Sequence, residues 1–220
     1  MKNSKRIQRM VGIASLVAIV VVLQLIATYM PKLPGGISPT LALIPIVVGA
    51  ILYGPLGGAI LGAAMGIMVI VDPQTLAVFM PHNPAATIIL CLLKSAVAGA
   101  VAGLIFKVLY KKNVLLAVVL ASICVPIINT SLFTVGVLMF FGDIYGGGGA
   151  GVVLATLVGL IWVNFIVEFA INSILSPVVH RIVRIIARNY NIGANFNVGA
   201  IYSSEELEEN FNSVVEENLN

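Results

Sequence analysis

Residues 41–71 read LALIPIVVGAILYGPLGGAILGAAMGIMVIV, 31 positions without a charge. As one straight helix they would extend ~46 Å, well past a ~30 Å hydrocarbon core. Gly54-Pro55 lies near the middle. Proline gives no backbone N–H and its ring clashes with the preceding turn. The stretch is therefore expected to break into two helices, about 40–53 and 55–71.

Working outward, the remaining chain is as apolar. Of 220 residues, 60% are hydrophobic and 10% are charged, and mean hydropathy is +1.08. An ordinary soluble domain holds about 25% charged residues and could not hide so much apolar surface. Lipid is the expected solvent. Further apolar segments span about 7–29, 84–110, 115–141 and 150–176, the last free to continue past Pro177. The fold class expected is an all-α membrane protein, a bundle of six transmembrane helices. The run after Lys2, Lys5, Arg6 and Arg9 is too long for a signal-peptide core of ~7–15 residues and is read as a retained first helix. Loops are expected at about 30–39, at 72–83 with Pro73 and Pro81, and at 142–149 with Asp143 and Tyr145.

Charge decides between five spans and six. Four of the twelve Lys and Arg precede the first helix. Lys107, Lys111 and Lys112 surround the fourth-to-fifth connection, and Arg181, Arg184 and Arg188 follow the sixth. Six spans put all three clusters on one side, where the positive-inside rule makes it cytoplasmic. Both termini are then cytoplasmic, in a multi-pass protein of the plasma membrane. A single 41–71 span would split the clusters across the bilayer. The net charge of +3 is thus explained by topology, and no nucleic-acid partner is expected. Residues 189–220 hold six of the nine acidic residues and form a cytoplasmic tail. In it, Ser203 and Glu206 fit a capping box, with Leu207, Phe211, Val214 and Val215 on one face of a short amphipathic helix.

Small residues recur at helix-packing spacing. Gly54, Gly58, Gly62 and Gly66 are four apart, Gly99 and Gly103 repeat this in the fourth helix, and Gly151, Ala155 and Gly159 in the sixth. Such faces let backbones approach closely in lipid. The glycines lack the Gly-Lys-Ser/Thr ending of a phosphate loop, so no nucleotide or other cofactor is expected on this chain. Cys91 and Cys124 sit in apolar runs and read as small buried hydrophobes.

Polar residues inside the apolar runs carry the functional signal. Lys94 lies ten residues past Pro84, ~15 Å into the membrane. A lysine there costs several kcal/mol unless paired or hydrated. Asn129 is ~18 Å from the same side on the fifth helix and Asn164 ~21 Å on the sixth. Glu168 is a turn deeper, on the face of Asn164 and Asn172. Lys94 is read as a partner for a substrate carboxylate or for Glu168, and Asn129 and Asn164 as hydrogen-bonding substrate. The competing reading is a structural Lys94–Glu168 bridge with asparagine glue. His82 and Asn83 precede the fourth helix within reach of such a site, and Phe133 and Trp162 could stack on a planar ring.

The block from Pro39 to Gly66, with a short second helix meeting the third at Gly-Pro, resembles the S component of energy-coupling factor (ECF) vitamin transporters. Asn129-Thr130, and Asn164, Glu168 and Asn172, are similar to that family too, nearest its pantothenate, hydroxymethylpyrimidine and folate branch. The resemblance covers about residues 7–185. It implies a substrate-binding subunit that captures a water-soluble vitamin outside the cell with its fourth to sixth helices and outer loops. It further implies toppling in the bilayer to deliver it, powered by two separate ATPase subunits. Ala14 and Ala18 match the family's Ala-x-x-x-Ala motif for docking on the transmembrane coupling subunit. The substrate-binding set expected is Lys94, Asn129, Asn164, Glu168 and Asn83.

Other classes weighed against this are an intramembrane enzyme, a membrane scaffold and a stand-alone transporter. An enzyme needs clustered nucleophiles, metal ligands or paired carboxylates. The two histidines, His82 and His180, fall on opposite sides of the membrane, and Glu168 is the lone carboxylate in the core. A scaffold accounts for the small-residue faces but not for three polar groups at one depth.

Overall fold

In the computed structural model, residues 2–29, 41–146 and 151–190 are described. The helices are α1 (Lys2–Tyr29), α2 (Leu43–Ile70), α3 (Pro73–Val78), α4 (Pro84–Leu109), α5 (Val114–Gly146) and α6 (Gly151–Tyr190). All but α3 are long and apolar enough to cross a membrane. The acidic tail expected from about residue 189 lies, from 191 on, outside the described residues.

The break in α2 falls at Gly54, whose φ of 79° and ψ of −173° are not helical. That φ is the left-handed side that glycine enters without a Cβ clash. The chain reverses there. A Cβ on Gly57 would lie 3.0 Å from the Gly49 carbonyl oxygen, and one on Gly58 would lie 2.8 Å from Ala50 Cβ. Residues eight apart would be ~12 Å distant along a straight helix. The 43–53 and 55–70 arms therefore pack side by side, ~16 Å and ~24 Å long. Arg9 Nη2 donates to the Tyr53 carbonyl at 2.9 Å, beside the break.

Side-chain pairings set the directions. Arg9 meets Tyr53 and Thr28 meets Asp72, so α1 and the 55–70 arm run the same way. The 43–53 arm makes the return. Gly58 lies against Gly99, Gly62 against Ser95 and Gly66 against Cys91, so α4 runs opposite to that arm. Ser95 bonds Asn129, and Leu90 packs on Gly136, so α5 reverses again. On α6, Ile161 packs with the Val137 cluster, while Val179 and Val183 join that of Val114 and Val118. α6 is therefore antiparallel to α5. The start of α1, the α4–α5 connection and the end of α6 share one end of the bundle.

The 43–53 arm is the centre of the core. Leu43, Ile46, Val47, Ile51 and Leu52 are at most 1% exposed. A helix apolar all round is one that is buried all round, and this arm packs with α1, α4, α5 and α6 residues in a single cluster. The α2–α4 seam is the tightest: a Cβ on Gly58 or Gly62 would run into the backbone carbonyl of Gly99 or Ser95.

Three sequence expectations need correction. The 72–83 segment is not all loop. Asp72 caps α3, its Oδ1 accepting from Gln74 N at 2.9 Å, with proline at the first helical turn, the pairing that favours helix starts. α5 runs on to Gly146, so Asp143 and Tyr145 extend a helix. On α6, Ala155 is exposed and a Cβ on Gly159 would meet nothing within 4 Å, so these two are not packed against the bundle.

Candidate functional site

A cavity of ≈ 210 Å³ opens among α1, the α2–α3 corner, α4, α5 and α6. From α4 comes Lys94, and from α5 come Asn129, Thr130 and Phe133. α6 contributes Leu160, Ile161, Asn164, Phe165 and Glu168, five residues that fall on one side of a helix by their three- and four-residue spacing. The cavity thus gathers four of the residues expected to bind substrate.

Lys94 is 7% exposed, with its Nζ 3.8 Å from the centroid of the Phe133 ring. A cation over an aromatic face is attracted by the ring quadrupole, which offsets part of the cost of holding an ammonium inside a bilayer. Phe133 in turn meets Phe79 edge-on, centroids 5.6 Å apart, and Phe79 meets Phe141 at 5.2 Å. The aromatic wall is therefore braced from α3 and α5.

Asn129 is oriented by α4: Ser95 Oγ donates to its Oδ1 at 3.2 Å. With the oxygen engaged, the amide presents its N–H donors, which suit an acceptor such as a carboxylate. Asn164 Nδ2 donates to the Leu160 carbonyl one turn back, at 3.1 Å. Glu168 is 9% exposed. The floor thus combines one cation, one acid and two amides around a phenyl ring.

Asn83 is placed differently. Its Oδ1 accepts from Ala86 N at 3.1 Å, capping α4, and it does not line the cavity. Asn172 is buried below the cavity, donating to the Glu168 carbonyl at 2.8 Å. His82 is exposed, and Trp162 is 44% exposed on α6 against Phe165, also off the cavity.

Sequence reasoning missed the opposite part of the wall, made by Gln24, Asp72, Gln74, Thr75 and Phe79. One signal was present: Gln24 is the lone polar residue in 16–27 of α1. Asp72 uses both carboxylate oxygens, Oδ1 on α3 and Oδ2 as acceptor from Thr28 Oγ1 at 2.9 Å. That clasp holds α3 over the Asp72 end of the cavity.

Outside the cavity, Ala14 and Ala18 are exposed on α1, on a face that also shows Val11, Ile19 and Val22. The α1 side toward the bundle carries Gly12, which sits against the Tyr53 ring hydroxyl.

The family model described as ECF transporter, substrate-specific component, matches residues 8–183. The chain belongs to this family. No curated protein and no solved structure matches it. As a substrate-specific component of an ECF transporter it is a multi-pass membrane transport protein, and its family role is binding substrate rather than catalysis. Partnership with ECF coupling and ATPase subunits and with membrane lipid follows from the same membership.

Proposed function

We propose that this substrate-specific component captures a small, carboxylate-bearing water-soluble vitamin outside the cell, pantothenate before other members of its branch. The observation that carries the reading is Lys94, buried beside Phe133 in a cavity it shares with Asn129, Asn164 and Glu168. An intramembrane lysine marks a substrate or ion site by default. A carboxylate supplies its counter-charge and accepts from Asn129. The ≈ 210 Å³ volume is below the about 300–1,000 Å³ typical of drug-sized ligands, which favours a short-chain acid over folate.

In this reading six legs, with the two shorter arms of α2 counted separately, serve as membrane legs, and both termini are cytoplasmic. Support comes from the shared end of the three basic clusters and from the return of the chain between α1 and the 55–70 arm. The cavity then lies toward the outer half. The exposed Ala14 and Ala18 face docks on the coupling subunit, and toppling, driven by the two ATPases, carries the ligand inward.

The test is calorimetric titration of the purified protein with each water-soluble vitamin, repeated on Lys94→Ala. Binding of a carboxylate vitamin that the variant loses supports the reading. A folded Lys94→Ala of unchanged affinity sinks the assignment of Lys94. Co-purification of a coupling subunit with its ATPases separates a transporter subunit from a scaffold.

A further inference from the structure

Gln24 is the one polar residue in the apolar run 16–27 of α1. It is 8% exposed inside an apolar span and lines the cavity from α1. One turn on, Thr28 donates to Asp72, itself a cavity residue. α1 is thereby fastened to the Asp72 end of the cavity and supplies one side of it.

The cavity is also longer than it is wide in chemistry. Ser95 lies against Gly62, and Asp72 comes ten residues after Gly62, ~15 Å along the axis. Lys94 therefore marks one end and Asp72 the other. Gln24, one turn below Thr28, lies ~6 Å from the Asp72 level. The Lys94 end offers a cation and the amide donors of Asn129, with Glu168 as its acid. The Asp72 end offers an acid, the hydroxyl of Thr75 and the amide of Gln24. A carboxylate is attracted at the first end and repelled by Asp72 at the second.

Resting on the functional reading above, we infer that α1 is part of the ligand site, with Gln24 as a specificity-determining residue. The substrate is elongated: its carboxylate lies at Lys94, and Gln24 hydrogen-bonds a hydroxyl of the uncharged half. A carboxamide suits that half because it both donates and accepts.

The experiment is calorimetry on the purified full-length protein with two probes, pantothenate and its analogue lacking both hydroxyls. Gln24→Leu should weaken pantothenate about tenfold, the scale of one buried hydrogen bond left unmade. It should leave the dehydroxylated probe unchanged, so that the pair forms a double-mutant cycle. Gln24→Asn, which keeps the amide one methylene short, should fall between and serves if the leucine variant does not fold. Unchanged pantothenate affinity in both folded variants, or equal losses for the two probes, overturns the role of Gln24. If wild type prefers another vitamin, the same variants with that vitamin and an analogue stripped of its neutral polar groups decide the matter, and a preferred vitamin without a carboxylate overturns the orientation. Failure of wild type to bind any water-soluble vitamin instead removes the functional reading itself.

Discussion

The two sides of α4 are built on opposite principles. Toward α2, Cys91, Ser95, Gly99 and Gly103 recur every fourth residue, and backbone meets backbone with no room for a Cβ. Toward α5 and α6, one position away from Ser95, Lys94 holds a buried cation against a ring. The first region gains stability from contact alone, since lipid gives apolar helices little reason to associate. The second carries a polar burden that stability would be better without. The comparison teaches how a small bundle holds a costly site: the seam fixes α4, and α4 then fixes the site. Ser95 joins the two, its backbone in the seam and its hydroxyl on Asn129.

The largest effect is expected in the seam. Gly62→Leu places a side chain where the Ser95 carbonyl stands, at or above the about 1–3 kcal/mol of ordinary overpacking. Thermal unfolding in detergent should show a lowered midpoint or no folded protein, and an unchanged midpoint would mean that the seam is not formed. Lys94→Met should do the reverse, leaving thermal stability equal or higher while vitamin affinity falls about 100-fold, the scale of an unpaired buried charge partner. Lower stability in this variant would show the lysine to be structural. Asn129→Ala should weaken binding about tenfold with a small stability loss, as Ser95 also loses its acceptor. The smallest effect belongs to the clasp. Thr28→Val removes one hydrogen bond to Asp72, worth about 1 kcal/mol, and should raise amide hydrogen exchange in α3 without moving the global unfolding midpoint.

Much of this contrast was legible in the residues. Gly54-Pro55 announced the reversal because proline breaks a helix and glycine can turn left-handed before it, and the glycine repeat announced the seam. Lys94, Asn129, Asn164 and Glu168 stood out because polar groups in apolar runs are costly, and one cavity gathers them. What stayed hidden depended on which elements become neighbours. Asp72 looks like a loop residue until Thr28, 44 positions away, lies beside it. Gln24 reads as a stray polar residue until α1 is laid along the cavity. Asn83 looked like a ligand contact and is spent on capping α4, as its place just before Pro84 allowed. The α6 repeat at Ala155 and Gly159 had the spacing of a packing face but meets no partner helix among the described residues.

The reversal at Gly54 also bears on how the protein enters the bilayer. The arm of residues 43–53, ~16 Å long, reaches about half of a ~30 Å core, and the 55–70 arm also falls short. Left alone in lipid, either would strand polar backbone at its ends. The two are therefore expected to enter as one hairpin, with the Gly54 bend staying on the Arg9 side of the bilayer. Synthesis thus meets a single insertion event where the finished bundle shows two legs.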